Sequence, residues 1–366
     1  MTSRLRRLQQ AGVSIWLDTL SRELLDGGGF ATLVRDRAVT GATSNPTIFA
    51  KAITGSDAYD SQLRAVLASG VRDSQELFFE LGLQDIRSAA EVLRPVHESS
   101  RGTDGFVSFE CTPDLADDSQ ATITQATQLR ERLDLPNVMI KVPATEAGVT
   151  AIEELTARGV NVNVTLLFSV DRYEQVIEAH LRGLERRIAD GLPVESVRSV
   201  ASFFVSRVDA KADAALDADS PLHGRIAIAN ARLAYAHYRE RFAGERWEQL
   251  RDHGAAPQRP LWASTGTKDP AYSDVLYVEQ LVASNVVNTM PEATLRAFDD
   301  HGEIAAFDPD PAQPQRTLAA AAAAGVDLPA ITAQLEREGV ESFCASYHQL
   351  LRCIETKAAR LAVSTP

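Results

Sequence analysis

Residues 160–168 read VNVNVTLLF. Side chains along a strand point alternately to opposite faces. Val162, Val164 and Leu166 therefore share one face, and Asn161, Asn163 and Thr165 share the other. An exposed antiparallel strand with one wet side would accommodate this pattern. So would a barrel wrapped by helices, whose outward face must be apolar and whose inward face can hold polar groups near the carboxyl ends of the strands. The remaining strands decide between them.

Seven further short apolar runs can be read along the chain. They are SIWLD ending at Asp18, VTGATSN ending at Asn45, GFVSFEC ending at Cys111, NVMIKV ending at Val142, SVASFFV ending at Val205, RPLWAST ending at Thr265 and VVNTM ending at Met290. Helical segments separate them, for example Ala147–Arg158 and Asp171–Asp190. Strand then helix, eight times over, predicts an α/β fold of the (β/α)8 TIM barrel type. An open doubly wound sheet is the competitor, and the regularity of the repeat favours closure.

The gaps at 46–105 and 207–258 are long and helical in pattern, so extra helices are expected in those connections. No Gly/Ser/Pro linker divides the chain. A single domain is expected, with the barrel over about residues 12–298 and a helical C-terminal extension over about 299–366. PDPAQPQ, near Pro309, marks the exit from the barrel, and the Ala-rich run after it is helix-prone. The GGG at Gly27–Gly29 reads as a loop.

Composition narrows the function classes. The chain has 366 residues, 45% of them hydrophobic, which is ample for a large core. Its net charge of −13 argues against a general nucleic-acid binder. An anionic substrate would need a local basic pocket. Three cysteines, Cys111, Cys344 and Cys353, are too few and too odd for a disulfide scaffold and fit a reducing compartment. The histidines are scattered without zinc-type spacing, so no metal site is expected. The basic start MTSRLRRLQQAG has no apolar stretch after it, and no run of membrane-spanning length occurs. Neither a signal peptide nor a membrane span is expected, and the cytoplasm is the default location. A homodimer is the base-rate expectation for assembly.

One residue breaks the apolar pattern. Lys141 stands inside PNVMIKVPAT, among Met139, Ile140 and Val142. Burying an ammonium is costly unless it is paired or neutral. Nearly every other predicted strand also carries a polar residue at or near its C-terminal end: Asp18, Asn45, Glu110, Thr165, Ser202 and Ser264. Each alone reads as well as a helix cap or a turn residue. Together, on one barrel, they converge on one place.

A desolvated lysine can have a depressed pKa, attack a carbonyl and form a Schiff base. The iminium is an electron sink that permits cleavage of the carbon–carbon bond beta to it. That chemistry needs an acid for loss of water and a base for the departing hydroxyl. Asp18 and Glu110 are placed to divide these tasks, and Thr165 to hold a water that relays a proton to or from Glu110. Asn45, Asn163 and Ser202 are candidates for substrate hydroxyls. Arg207 and Lys268, with Ser264 between them in barrel order, would make a basic mouth suited to a phosphate. Pairing of Arg207 with Asp209, and a solvated loop position for Lys268, are the structural alternatives.

These motifs also carry a resemblance. TSNPTIF (Thr43–Phe49), MIKVPAT (Met139–Thr145), NVNVTLLFS (Asn161–Ser169), ASFFVSRVD (Ala201–Asp209) and NTMPEATLRAF (Asn288–Phe298) resemble the transaldolases, most of all the longer bacterial type. The likeness runs from about Gly12 to Phe298, with the motifs in the right order.

The resemblance implies a Schiff-base Lys141, acid–base roles for Asp18, Glu110 and Thr165, and substrate contacts from Asn45, Asn163 and Ser202. It implies phosphate contacts from Arg207, Ser264 and Lys268. Asp18 would act on the C4 hydroxyl during cleavage. Phe204 matches a pocket position where phenylalanine goes with transfer and tyrosine with fructose-6-phosphate aldolases. The implied reaction moves a dihydroxyacetone unit from sedoheptulose 7-phosphate or fructose 6-phosphate to glyceraldehyde 3-phosphate or erythrose 4-phosphate, in the pentose phosphate pathway, without cofactor or metal. Cys111, Thr112 and Phe203 depart from the family's usual residues and bear on substrate preference, not reaction type. The rivals are an aldolase releasing free dihydroxyacetone, a diverged transaldolase acting on another sugar phosphate, and a catalytically dead barrel kept as an interaction partner.

Overall fold

The computed structural model describes residues 3–305 and 307–363. Eight strands are present: β1 (Val13–Leu17), β2 (Val39–Thr43), β3 (Phe106–Glu110), β4 (Val138–Pro143), β5 (Val162–Leu167), β6 (Ser199–Phe204), β7 (Arg259–Ala263) and β8 (Val286–Met290). They run parallel in sequence order, and β8 returns to pair with β1, so the sheet closes on itself. The (β/α)8 expectation is met and the open sheet is excluded.

The polar strand ends also start the helices that follow. Asn45, Thr145 and Ser169 accept from the N–H groups of Ile48, Gly148 and Arg172, capping helices Pro46–Thr54, Glu146–Ala157 and Val170–Ala189. Such caps satisfy N–H groups that have no partner within the helix. The long connections hold the extra helices expected of them. Asp60–Ala68 and Ser74–Ser99 follow Pro46–Thr54, and Ser206–Ala212, Ile226–Arg241 and Glu245–Asp252 lie between β6 and β7.

Inside the barrel, alternation stacks the side chains in layers. Asp18, Glu110 and Lys141 form the upper layer. Two positions back along the same strands, Trp16, Ser108 and Met139 lie beneath them. Trp16 is fully buried, and its indole N–H donates to Asp104 Oδ1 at 2.8 Å. The ring fills the space left by its strand neighbour Gly41, where a Cβ would lie 2.4 Å from Trp16 Nε1. Gly41→Ala is therefore expected to destabilise the fold by about 1–3 kcal/mol, the usual cost of overpacking. The ring cannot yield without losing its bond to Asp104. Equal melting temperatures for variant and parent would refute this.

The segment beyond β8 forms helices Glu292–His301, Ala312–Ala323 and Leu328–Val363. The last, at 36 residues, would extend about 54 Å at 1.5 Å per residue. It lies across the rim at the carboxyl ends of the strands. Its Glu336 meets Arg172 just after β5, Glu338 pairs with Lys211 after β6, and His348 faces Asp114 after β3. Ser346 accepts from Thr47 after β2. Gly339 permits a close approach to β5, since a Cβ there would sit 2.9 Å from Leu166 Cδ2.

That contact corrects the reading of Leu166. The β5–β6 register shifts between Val164 and Leu167, and Leu166 has φ +56°. The bulge breaks the alternation. Leu166 leaves the apolar outer row of Val162 and Val164 and packs against the C-terminal helix. Among the described residues, no single helix is long and apolar enough to cross a membrane.

Candidate active site

Lys141 lies inside the barrel. On β4 it stands level with Glu110 of β3 and Asn163 of β5. Its residue is 5% exposed, its Nζ donates to the Ser44 carbonyl at 3.0 Å, and Glu110 Oε2 lies 3.5 Å away. The buried Nζ thus has one carbonyl and one carboxylate for company. Burial pushes the Glu110 pKa up; Lys141 opposes that shift and Asp18 adds to it. Glu110 Oε2 and the fully buried Thr165 Oγ1 have no hydrogen-bond partner, which is uncommon for buried polar atoms.

Asp18 stands one residue beyond β1, its N–H donating to Met290 O at 2.8 Å. Its side chain is half-buried, and desolvation raises its pKa. The Thr43 hydrogen bond and the charges of Lys141, Arg207 and Lys268 pull the other way. Asp18 thus feels three cations contributed by different strand ends, and Glu110 feels Lys141 and Asp18.

The remaining predicted residues fall into two groups. Asn163 is fully buried, donating to Ser108 Oγ at 2.9 Å and accepting from Ser202 Oγ at 2.7 Å. Both partners hold its amide in one orientation beside Lys141. Asn45 lies two residues past β2, and its Oδ1 is engaged in the helix cap, which leaves the amide N–H group for other use.

The second group surrounds the mouth. The Arg207 guanidinium lies 5.3 Å from the Phe204 ring centroid, and Phe204 packs on Phe168 at 5.2 Å. Arg207 does not pair with Asp209, whose carboxylate accepts from Ala227 N–H and Tyr277 O–H and whose pKa burial pushes up to about 7. Ser264, just past β7, has φ +56° and shares a 2.9 Å hydrogen bond with Ser206 Oγ. Lys268 is exposed on the loop beyond it.

The sequence profile of the transaldolase/fructose-6-phosphate aldolase family matches residues 15–354. The chain belongs to the transaldolase/fructose-6-phosphate aldolase family. A transaldolase of Saccharopolyspora erythraea is 49% identical over 357 residues, covering 96% of this chain and 97% of that protein. One of Acidothermus cellulolyticus is 50% identical over 366 residues, 98% of each chain. Transaldolase 2 of Streptomyces coelicolor is 47% identical across the full length of both.

Within this transaldolase/fructose-6-phosphate aldolase framework, the departures noted in sequence lie off the site. Phe203 points outward onto Tyr173 and Trp262, at 6.2 and 6.4 Å between ring centroids. Cys111 is buried, and its thiol pKa is pushed up by that burial. Thr112 binds Gln125.

Sequence reading missed Thr43, Thr289, Ser108 and Ser206, and the role of the Ser44 carbonyl. Thr43 Oγ1 donates to Asp18 Oδ1 at 2.7 Å and lies 2.8 Å from Thr289 Oγ1. Two-residue alternation along VTGAT and VVNTM was the available signal for both threonines.

Proposed function

We propose that this chain is a transaldolase that moves a dihydroxyacetone unit between sugar phosphates through a Schiff base on Lys141, in the pentose phosphate pathway. The observation that carries this reading is a lysine inside the barrel, 5% exposed and 3.5 Å from a buried carboxylate whose protonation burial favours. Donors would be sedoheptulose 7-phosphate and fructose 6-phosphate. Acceptors would be glyceraldehyde 3-phosphate and erythrose 4-phosphate.

The Lys141 proton passes to Glu110, and the neutral amine attacks the ketose carbonyl. Glu110 then returns a proton to the carbinolamine hydroxyl, through a water held with Thr165, and that hydroxyl leaves as water. Asp18 takes the proton of the C4 hydroxyl. The C3–C4 bond breaks, its electrons enter the iminium to give an enamine, and the aldose departs. The acceptor aldehyde enters, the enamine adds to its carbonyl, and Asp18 returns the proton to the new alkoxide. Water then releases the product and Lys141. Asn45, Asn163 and Ser202 would hold substrate hydroxyls. Arg207, Ser264 and Lys268 would hold the phosphate, which supplies the local basic site that an acidic chain needs.

Transfer rather than simple aldol cleavage requires the enamine to survive until the acceptor arrives. Phe204, 8% exposed and covered by Phe168 and Arg207, restricts water around that intermediate. The test is turnover of fructose 6-phosphate with and without erythrose 4-phosphate. Turnover that depends on the acceptor, without free dihydroxyacetone, is expected. Steady release of dihydroxyacetone without an acceptor would make the chain an aldolase.

A further inference from the structure

The barrel closes where β8 and β2 flank β1, and at that closure two threonines meet beneath Asp18. Thr43 ends β2, and Thr289 lies on β8 level with Trp16 of β1. Both are 3% exposed. A hydroxyl has one proton to donate. Thr43 donates its proton to Asp18 Oδ1 at 2.7 Å, so across the 2.8 Å contact with Thr289 it must accept. The chain therefore runs one way, from the Thr289 hydroxyl to the Thr43 hydroxyl to the carboxylate. Both residues are β-branched, so each hydroxyl is held by a stiff χ1 angle.

We propose that Thr289 and Thr43 are a positioning pair that fixes Asp18 Oδ1 as an acceptor and leaves Oδ2 as the oxygen that exchanges the substrate proton. The proposal rests on the reading of Asp18 as the base for carbon–carbon cleavage. Other groups also face Asp18: Lys141 from β4, Arg207 after β6, Lys268 after β7, and Glu110 from β3. The three cations favour its ionised form, and Glu110 disfavours it. Thr43 supports it from the barrel wall with a directed hydrogen bond, backed by Thr289 on Thr43, and such a bond orients as well as stabilises.

The sign of the effect follows. A hydrogen bond donated to a carboxylate stabilises the ionised form, so removing it raises the pKa. A base must be ionised to act, so the acid limb of the pH profile moves upward. Thr43→Val keeps shape and burial but removes the donor. It is expected to move the acid limb of kcat/KM for fructose 6-phosphate up by about one pH unit. Thr289→Val should move it in the same direction by less, and Thr43→Ser should restore the parent profile.

Borohydride trapping of dihydroxyacetone on Lys141 involves no C4 hydroxyl and should be unchanged in all three variants. A Thr43→Val profile lowered uniformly, with its limb in place, would reduce the pair to packing and overturn the proposal alone. Asp18→Ala, run in parallel, separates the two failures. If that variant still cleaves the ketose at the parent rate, the role of Asp18 falls and the positioning pair falls with it.

Discussion

Lys141→Met should lose transfer activity by a factor on the order of 10^4 or more, and should give no borohydride adduct with fructose 6-phosphate. The loss is large because the covalent intermediate is the electron sink for the whole reaction. Nothing else in the upper layer supplies one, as Asp18 and Glu110 are acids and Asn163 and Ser202 are engaged with one another. The variant should also lose stability in a pH-dependent way. Methionine leaves Glu110 buried at 8% exposure without its cation, and breaking a buried pair costs about 3 kcal/mol or more.

Glu110 already has a raised pKa, and losing Lys141 raises it further. A carboxyl whose folded pKa lies above its unfolded value contributes stability that is fully present below the unfolded pKa. That contribution is lost as pH rises through the folded value. The melting-temperature gap between variant and parent should therefore be small near pH 4 and widen toward neutrality. Adding Glu110→Gln to Lys141→Met should close most of it. A gap independent of pH would mean that the two groups are not coupled. Full activity in Lys141→Arg would mean that the reaction does not run through a Schiff base on Lys141, and no turnover by the parent chain would revive the reading of the barrel as a binding partner without catalysis.

The sequence carried the fold because strand alternation is a local property. Each predicted strand end lies within two residues of the observed one, and β5 shows why: Asn163 and Thr165 face inward while Val162 and Val164 lie under helices. What it did not carry is register and docking. VTGATSN reads as a strand down to Asn45, yet β2 stops at Thr43, and Asn45 turns to cap the next helix. Thr43 was therefore overlooked as the polar end of its strand.

Its contact with Thr289 lies 246 positions away and exists only because the barrel closes, so no segment encodes it alone. The bulge at Leu166 was equally hidden, since nothing in TLLF distinguishes a regular strand end from one bent toward a covering helix. The tail read correctly as helical. Its course across the rim depends on dispersed pairs such as Lys211–Glu338 and His348–Asp114, and on Gly339 fitting against Leu166.

Asp18→Ala should separate the two halves of the reaction. Schiff-base formation depends on Lys141 and Glu110, which the substitution leaves in place. Cleavage depends on removing the C4 hydroxyl proton, and losing a positioned base typically costs a factor of about 10^2 to 10^4. Borohydride with fructose 6-phosphate should then trap a hexose phosphate on Lys141, where the parent accumulates a three-carbon adduct. Peptide mass distinguishes the two directly.

Electrostatics predicts a second change in the same variant. Asp18 stands among the charges of Lys141, Arg207 and Lys268, and it raises the Glu110 pKa. Without it the mouth is more positive, so KM for a phosphorylated donor should fall even as kcat collapses. The limb set by Glu110 should move to lower pH. Asp18→Asn keeps the size of the side chain and removes the charge, so it should reproduce both effects. A three-carbon adduct forming in Asp18→Ala at the parent rate would remove Asp18 from the cleavage step, and the proton would then have to leave through Glu110, the other carboxylate beside the lysine.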